Sequence, residues 1–167
     1  MKSILKKIDA FSDAVGKTFS WIIIVLILLV VMEVILRRLF NSPTTWSFEV
    51  TIQLYALHFM IVAGYALLHR SHVTIDILYE KFNKRTQAII DVVSYLIFFF
   101  PFMLVVLYQG TKYAKESWLI RETSWSVFAP PLYPIKSVIP IMALLLLIQG
   151  LSVLIRQFYF ALTGREL

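Results

Sequence analysis

The chain has 167 residues, of which 59% are hydrophobic and only 16% charged, with a mean hydropathy of +0.78. Soluble domains carry about 25% charged residues, so this much apolar surface exceeds what a small core of its own can hide. The absence of cysteine excludes disulfides, thiolate metal sites and cysteine nucleophiles, and the +6 charge lies between apolar runs rather than in a nucleic-acid-binding stripe.

In chain order, the first element is a short amphipathic segment at about 3–19. Ile4, Ile8, Phe11, Val15 and Phe19 recur at spacings of three and four, with Lys6, Lys7, Asp9, Asp13 and Lys17 on the other face. That pattern fits a helix lying in the headgroup region, or a docking face for a partner subunit. Four apolar runs follow and predict spans near 20–39, 47–68, 89–110 and 135–157. Each reaches about 20 residues, enough for a helix to cross about 30 Å of hydrocarbon. Helices also satisfy every backbone group internally, which the bilayer requires. A second amphipathic segment is expected at about 73–85, where Ile75, Leu78, Tyr79 and Phe82 oppose Asp76, Glu80 and Lys84. The fold class is therefore all-α integral membrane, one domain over 1–167, with four transmembrane helices and one or two interfacial ones.

With the N-terminus placed in the cytoplasm, ten Lys and Arg residues fall inside and six outside, which favours both termini inside. Trp21 and Trp46 fall at opposite boundaries, and Trp118 and Trp125 in or near the longest outer loop, 111–134.

Ionisable residues in or beside a span are functional candidates. Glu33 lies one turn before Arg37 in the first span, in the favourable order for an ion pair; the competing reading is a proton- or cation-binding carboxylate. Glu49 opens the second span just after Trp46, where it can cap the helix N-terminus or meet a partner's cation. His58, His69 and His72 all belong to the second span or its inner end. A bis-histidine haem between two helices of this chain is thus disfavoured. His72 and Asp76 are spaced for a carboxylate to orient an imidazole, too few ligands for a metal. Gly64, with Ala56, Ala63 and Ala66, gives a small-residue surface for close helix approach. Pro101 should bend the third span.

The sequence has no Gly-rich phosphate loop, metal-ligand cluster or nucleophile–base motif, and nothing in it points to an enzyme, a catalytic residue or a bound cofactor. Few ionisable groups fall at mid-span, which suits an accessory subunit better than a carrier.

Trp46-x-x-Glu49 entering the second span, Gly64-Tyr-Ala-Leu at its exit and His72-Val-Thr-Ile-Asp76 after it together resemble one family. Thr123-Ser-Trp-Ser126, before the prolines that lead into the last span, also fits. The chain is similar, over nearly its whole length, to the small (DctQ-like) membrane subunit of tripartite ATP-independent periplasmic (TRAP) transporters. That resemblance implies a bacterial inner-membrane protein partnered by a large permease subunit (M) and a periplasmic substrate-binding protein (P). It further implies Na+ sites in the large subunit and uptake of organic acids, including dicarboxylates and sialic acid, with this chain as scaffold. Glu33, Arg37, Trp46, Glu49, Gly64, His72, Asp76 and Trp125 are then candidates for assembly or docking. Two rivals remain: a small multidrug exporter coupled through Glu33, and a haem- or quinone-binding anchor of a redox complex.

Overall fold

A computed structural model describes residues 2–69, 79 and 82–165. Its elements are α1 (Lys2–Ser20), α2 (Ile22–Leu39), α3 (Ser47–Leu68), α4 (Lys84–Ser94), α5 (Phe100–Leu119) and α6 (Tyr133–Thr163), with a π-helical turn at Tyr95–Phe99. No β-strand occurs among the described residues, and four helical stretches are long and apolar enough to cross a membrane. They are Lys2–Leu39, Ser47–Leu68, Lys84–Leu119 and Tyr133–Thr163. Three of them exceed the roughly 20 residues a bilayer needs, so these helices continue beyond the hydrocarbon. The fold is all-α, as the apolar runs predict.

α2 follows α1 almost directly, with Trp21 at the junction. The combined helix runs antiparallel to α3. Phe19 lies against His58, Gly16 against Tyr65, and Asp13 against His69. α5 is antiparallel to α6, since Gly110 faces Ile139 and Gly150 faces Phe99.

Beside a few larger residues such as Leu26, Ile61 and Leu146, much of what lies inside the bundle is small. Buried positions include Gly16, Ser47, Gly64, Ala88, Gly110, Ala114, Ser117, Ala143, Gly150 and Ser152. Large side chains such as Leu28, Phe98 and Phe102 are more than half exposed. Lipid is as apolar as leucine, so helices in a bilayer gain little by hiding large residues from it. They associate where small residues let backbones approach. At Gly64 a Cβ would meet Leu145 Cβ at 3.7 Å and its carbonyl oxygen at 3.9 Å, ordinary van der Waals distances, so α6 packs on this surface without requiring glycine there. The helix that packs against Gly64 is α6 of the same chain.

Pro101 acts through a change of helix type. It has no N–H to continue the ladder, and its ring crowds the preceding turn. The chain answers with the π-turn just before it, where the Phe100 N–H donates to the Tyr95 carbonyl. The wider turn places the Phe99 ring where a Cβ on Gly150 would stand, so glycine at 150 is what admits it.

α6 ends at Gly164, whose φ of 69° forms a left-handed cap with its N–H on the Phe160 carbonyl at 2.8 Å. α4 begins at the Asn83 cap, which accepts from the Thr86 N–H at 2.8 Å. The second amphipathic segment, at 73–85, lies largely outside the described residues, as do His72 and Asp76.

Candidate functional site: polar junctions at both ends of the bundle

At one end, α1 is fixed to α6 by a polar cluster. Asp9 accepts from Gln149 Nε2 at 3.1 Å, from Ser152 Oγ at 3.2 Å, and from the Arg156 guanidinium. Ser12 Oγ donates to Gln149 Oε1 at 2.8 Å. Gln149 and Ser152 are completely buried. Gln149 lies one turn beyond Leu145, which faces Gly64, so the cluster stands level with the C-terminal end of α3. Each of these donors has an acceptor, which is the condition for a buried polar network to hold helices together.

The face of α1 turned to the bundle is Leu5, Asp9, Ser12 and Gly16, spaced by four, three and four residues. Ile4 and Phe11, from the apolar stripe, are exposed at 63% and 51% and lie away from the bundle. The inward side holds Leu5 together with polar and small residues. A few residues on, a Cβ at Gly16 would overlap the Tyr65 side chain, so only glycine lets α1 reach α3 there. Asp13 then bridges Lys17 at 2.6 Å and His69 Nε2 at 3.1 Å. His58 Nδ1 lies 3.1 Å from the Phe19 carbonyl oxygen. Both described imidazoles are therefore engaged within the bundle.

At the other end, Glu33 is held in place. Arg37 donates to its Oε1 at 3.0 Å, and Thr44 Oγ1 to its Oε2 at 2.6 Å, with the Thr44 N–H at 3.4 Å. Thr44 Oγ1 in turn accepts from the Ser47 N–H at 3.3 Å at the start of α3, where Trp46 holds the N-cap position without a side-chain hydrogen bond of its own. The Glu33–Arg37 pair has the geometry expected from its spacing. Its further role, tying the α2–α3 turn to the helix end, depends on Thr44, which the sequence alone does not single out.

Glu49 faces the loop between α5 and α6 rather than its own helix end. Its Oε1 accepts from Ser124 Oγ at 2.9 Å, and Gln53 Nε2 donates to the Pro131 carbonyl at 3.2 Å. The loop is closed on itself: the Ser124 N–H donates to the Pro130 carbonyl and the Leu132 N–H to that of Glu122, both at 2.9 Å. Glu122 pairs with Lys136, which also sits 4.0 Å above the Tyr113 ring. The Lys136 ammonium is the chief cause holding the Glu122 carboxyl below the ordinary glutamate range. Trp118 Nε1 donates to Ser137 Oγ at 2.8 Å. Trp125 stands at the loop apex, fully exposed, with Val127 at 94% beside it.

Of the candidates, Glu33, Arg37, Trp46 and Glu49 lie around the start of α3, with Glu33 on Thr44 and Glu49 on Ser124; Trp125 is exposed on the α5–α6 loop, and Gly64 lies inside the bundle. Asp9, Ser12, Gln149, Ser152 and Arg156 are the group that sequence reasoning missed. Gln149 and Ser152 inside an apolar run were the available signal, since polar residues within a span usually join helices. Among the described residues, no group of three or more His, Asp or Glu side chains is arranged to hold a metal ion.

Four apolar helices, packed through small residues and tied at each end by polar clusters, define a multi-pass membrane protein. The carboxylates of Asp9, Asp13, Glu33, Glu49 and Glu122 are engaged in joining its own elements. A family model for the DctQ component of tripartite ATP-independent periplasmic transporters matches residues 26–159. That is most of the chain, and the protein belongs to this family: it is a small membrane subunit of a TRAP transporter. Membership implies a large permease subunit and a periplasmic binding protein as partners. A search of curated proteins finds no match.

Proposed function

We propose that this subunit is a scaffold that braces a large permease subunit in the inner membrane, with both termini cytoplasmic. The large subunit would take up an organic acid, of the dicarboxylate or sialic acid class, driven by a sodium gradient. A periplasmic protein would deliver that acid. The observation that best supports a bracing role is the Asp9–Gln149–Ser152–Arg156 cluster, which anchors the N-terminal helix to the last one. A carrier needs polar groups that change partners during its cycle; this cluster instead ties together elements about 140 residues apart in sequence. Glu33 is closed off in the same way by Thr44 and Arg37, which favours a structural role over a coupling one.

The test is reconstitution of the purified chain alone in proteoliposomes, with a sodium or proton gradient imposed. No uptake of organic acid and no proton-coupled efflux is expected. Co-expression with a large permease subunit should yield a complex that co-purifies. Transport by the chain alone, or efflux that Glu33→Gln abolishes, would overturn the proposal.

A further inference from the structure

Between α2 and α3 runs a groove with two different ends. Its outer part, of about 370 Å³, is lined by Glu33, Arg37, Arg38 and Ser47. Its inner part, of about 390 Å³, is wholly apolar, with Ile23, Ile27, Val31, Ile52 and Tyr55 along it. Val30 and Thr51 border both parts, so the two are one continuous trough.

Its dimensions match one leaflet. From Val34 to Ile23 the helix advances about 16 Å at 1.5 Å per residue, close to half of the roughly 30 Å hydrocarbon thickness. The cationic end therefore falls where headgroups lie, and the apolar end where acyl chains lie.

Charge decides what fills it. Two guanidiniums stand against one carboxylate, and that carboxylate already accepts from Thr44 Oγ1 and Arg37. The head region keeps one net positive charge, centred on Arg38. A partner helix seated here would have to cover Arg38, which is costly unless that helix brings an anion. A phospholipid brings both complementary parts, a phosphate for the guanidinium and a chain for the trough. We propose that the α2–α3 groove is a binding site for one anionic glycerophospholipid, with its phosphate on Arg38 and Arg37 and one acyl chain along Val30, Ile27 and Ile23. A zwitterionic lipid fits less well, because Glu33 is occupied and offers its ammonium little.

Native mass spectrometry of the full chain, titrated separately with phosphatidylglycerol and phosphatidylethanolamine, tests this. One phosphatidylglycerol should be retained with about tenfold preference, the ratio that roughly 1.4 kcal/mol gives. Arg38→Gln should remove that preference, Arg38→Lys should keep most of it, and Thr51→Trp, which fills the trough, should weaken both lipids. Arg38 is exposed, so its variants should fold and decide the matter even if Thr51→Trp does not. Equal retention by wild type and Arg38→Gln would overturn the proposal. So would a photo-crosslinker at Ile27 that captures a polypeptide in the native membrane instead of lipid.

Discussion

Asp9→Ala is the most informative perturbation of the bundle. It removes the acceptor for three donors at once, those of Gln149, Ser152 and Arg156. Two of these belong to side chains with no exposed surface, so water does not readily replace the lost partner. A buried donor left without an acceptor costs about 1–3 kcal/mol, whereas polar contacts between membrane helices average about 0.6 kcal/mol. The Arg156 side chain is 38% exposed and recovers part of its loss by hydration. Taking about 1 kcal/mol for each of the three, the change destabilises α1 docking by about 3 kcal/mol, or roughly a hundredfold in its opening equilibrium. α1 carries Lys6, Lys7 and Lys17, so limited trypsin digestion reports that opening directly. Cleavage after these lysines should accelerate strongly in Asp9→Ala and more weakly in Asp9→Asn, which keeps an acceptor oxygen. In a double-mutant cycle, Asp9→Ala with Arg156→Met should cost less than the sum of the two single changes. Unchanged digestion of Asp9→Ala, or strict additivity in the cycle, would mean that Asp9 does not hold α1 to α6.

Other consequences follow from the same geometry. Gly16→Leu should displace α1 from Tyr65 and raise trypsin sensitivity as Asp9→Ala does, while Ala14→Leu, at an exposed position of the same helix, should not. Gly150→Leu should collide with Phe99 and lower the thermal midpoint of the purified chain, and Phe99→Ala in the same molecule should recover part of the loss. The Glu122 carboxyl is held below its ordinary value by Lys136, so its contribution is present above the ordinary glutamate pKa of about 4.3 and is lost as pH falls through the lowered folded value. Thermal melts from pH 7 down to pH 3 should therefore show Glu122→Gln less stable than wild type at neutral pH and converging with it in acid. Equal separation at both ends of that range would count against the pair.

Much of this architecture was legible because an apolar run of bilayer length, nearly free of charge, has little use outside a membrane. The Glu33–Arg37 pair was legible too, because a spacing of four on a helix fixes where two side chains meet. What stayed hidden depended on contacts between distant segments. Asp9 and Gln149 are 140 residues apart, and neither has a local pattern naming the other. The amphipathic pattern of α1 marks a real period, and its Ile4 and Phe11 stay outside the bundle. What that pattern does not name is the opposite stripe of Leu5, Ser12 and Gly16, which packs against the other helices. Local spacing drew attention to His72 with Asp76, outside the described residues, whereas the described histidine–aspartate pair, His69 with Asp13, is 56 residues apart. Pro101 was a clear sign of interruption, but the relief by a π-turn depends on Gly150 of another helix giving room to Phe99.

The scaffold role is tested most directly by subunit omission in proteoliposomes. Uptake of an organic acid under an inward sodium gradient should be measured with the large permease subunit and the binding protein, with and without this chain. Uptake is expected with all three components and should be lost when this chain is left out. Undiminished uptake in its absence, or uptake by this chain alone, would rule the scaffold role out.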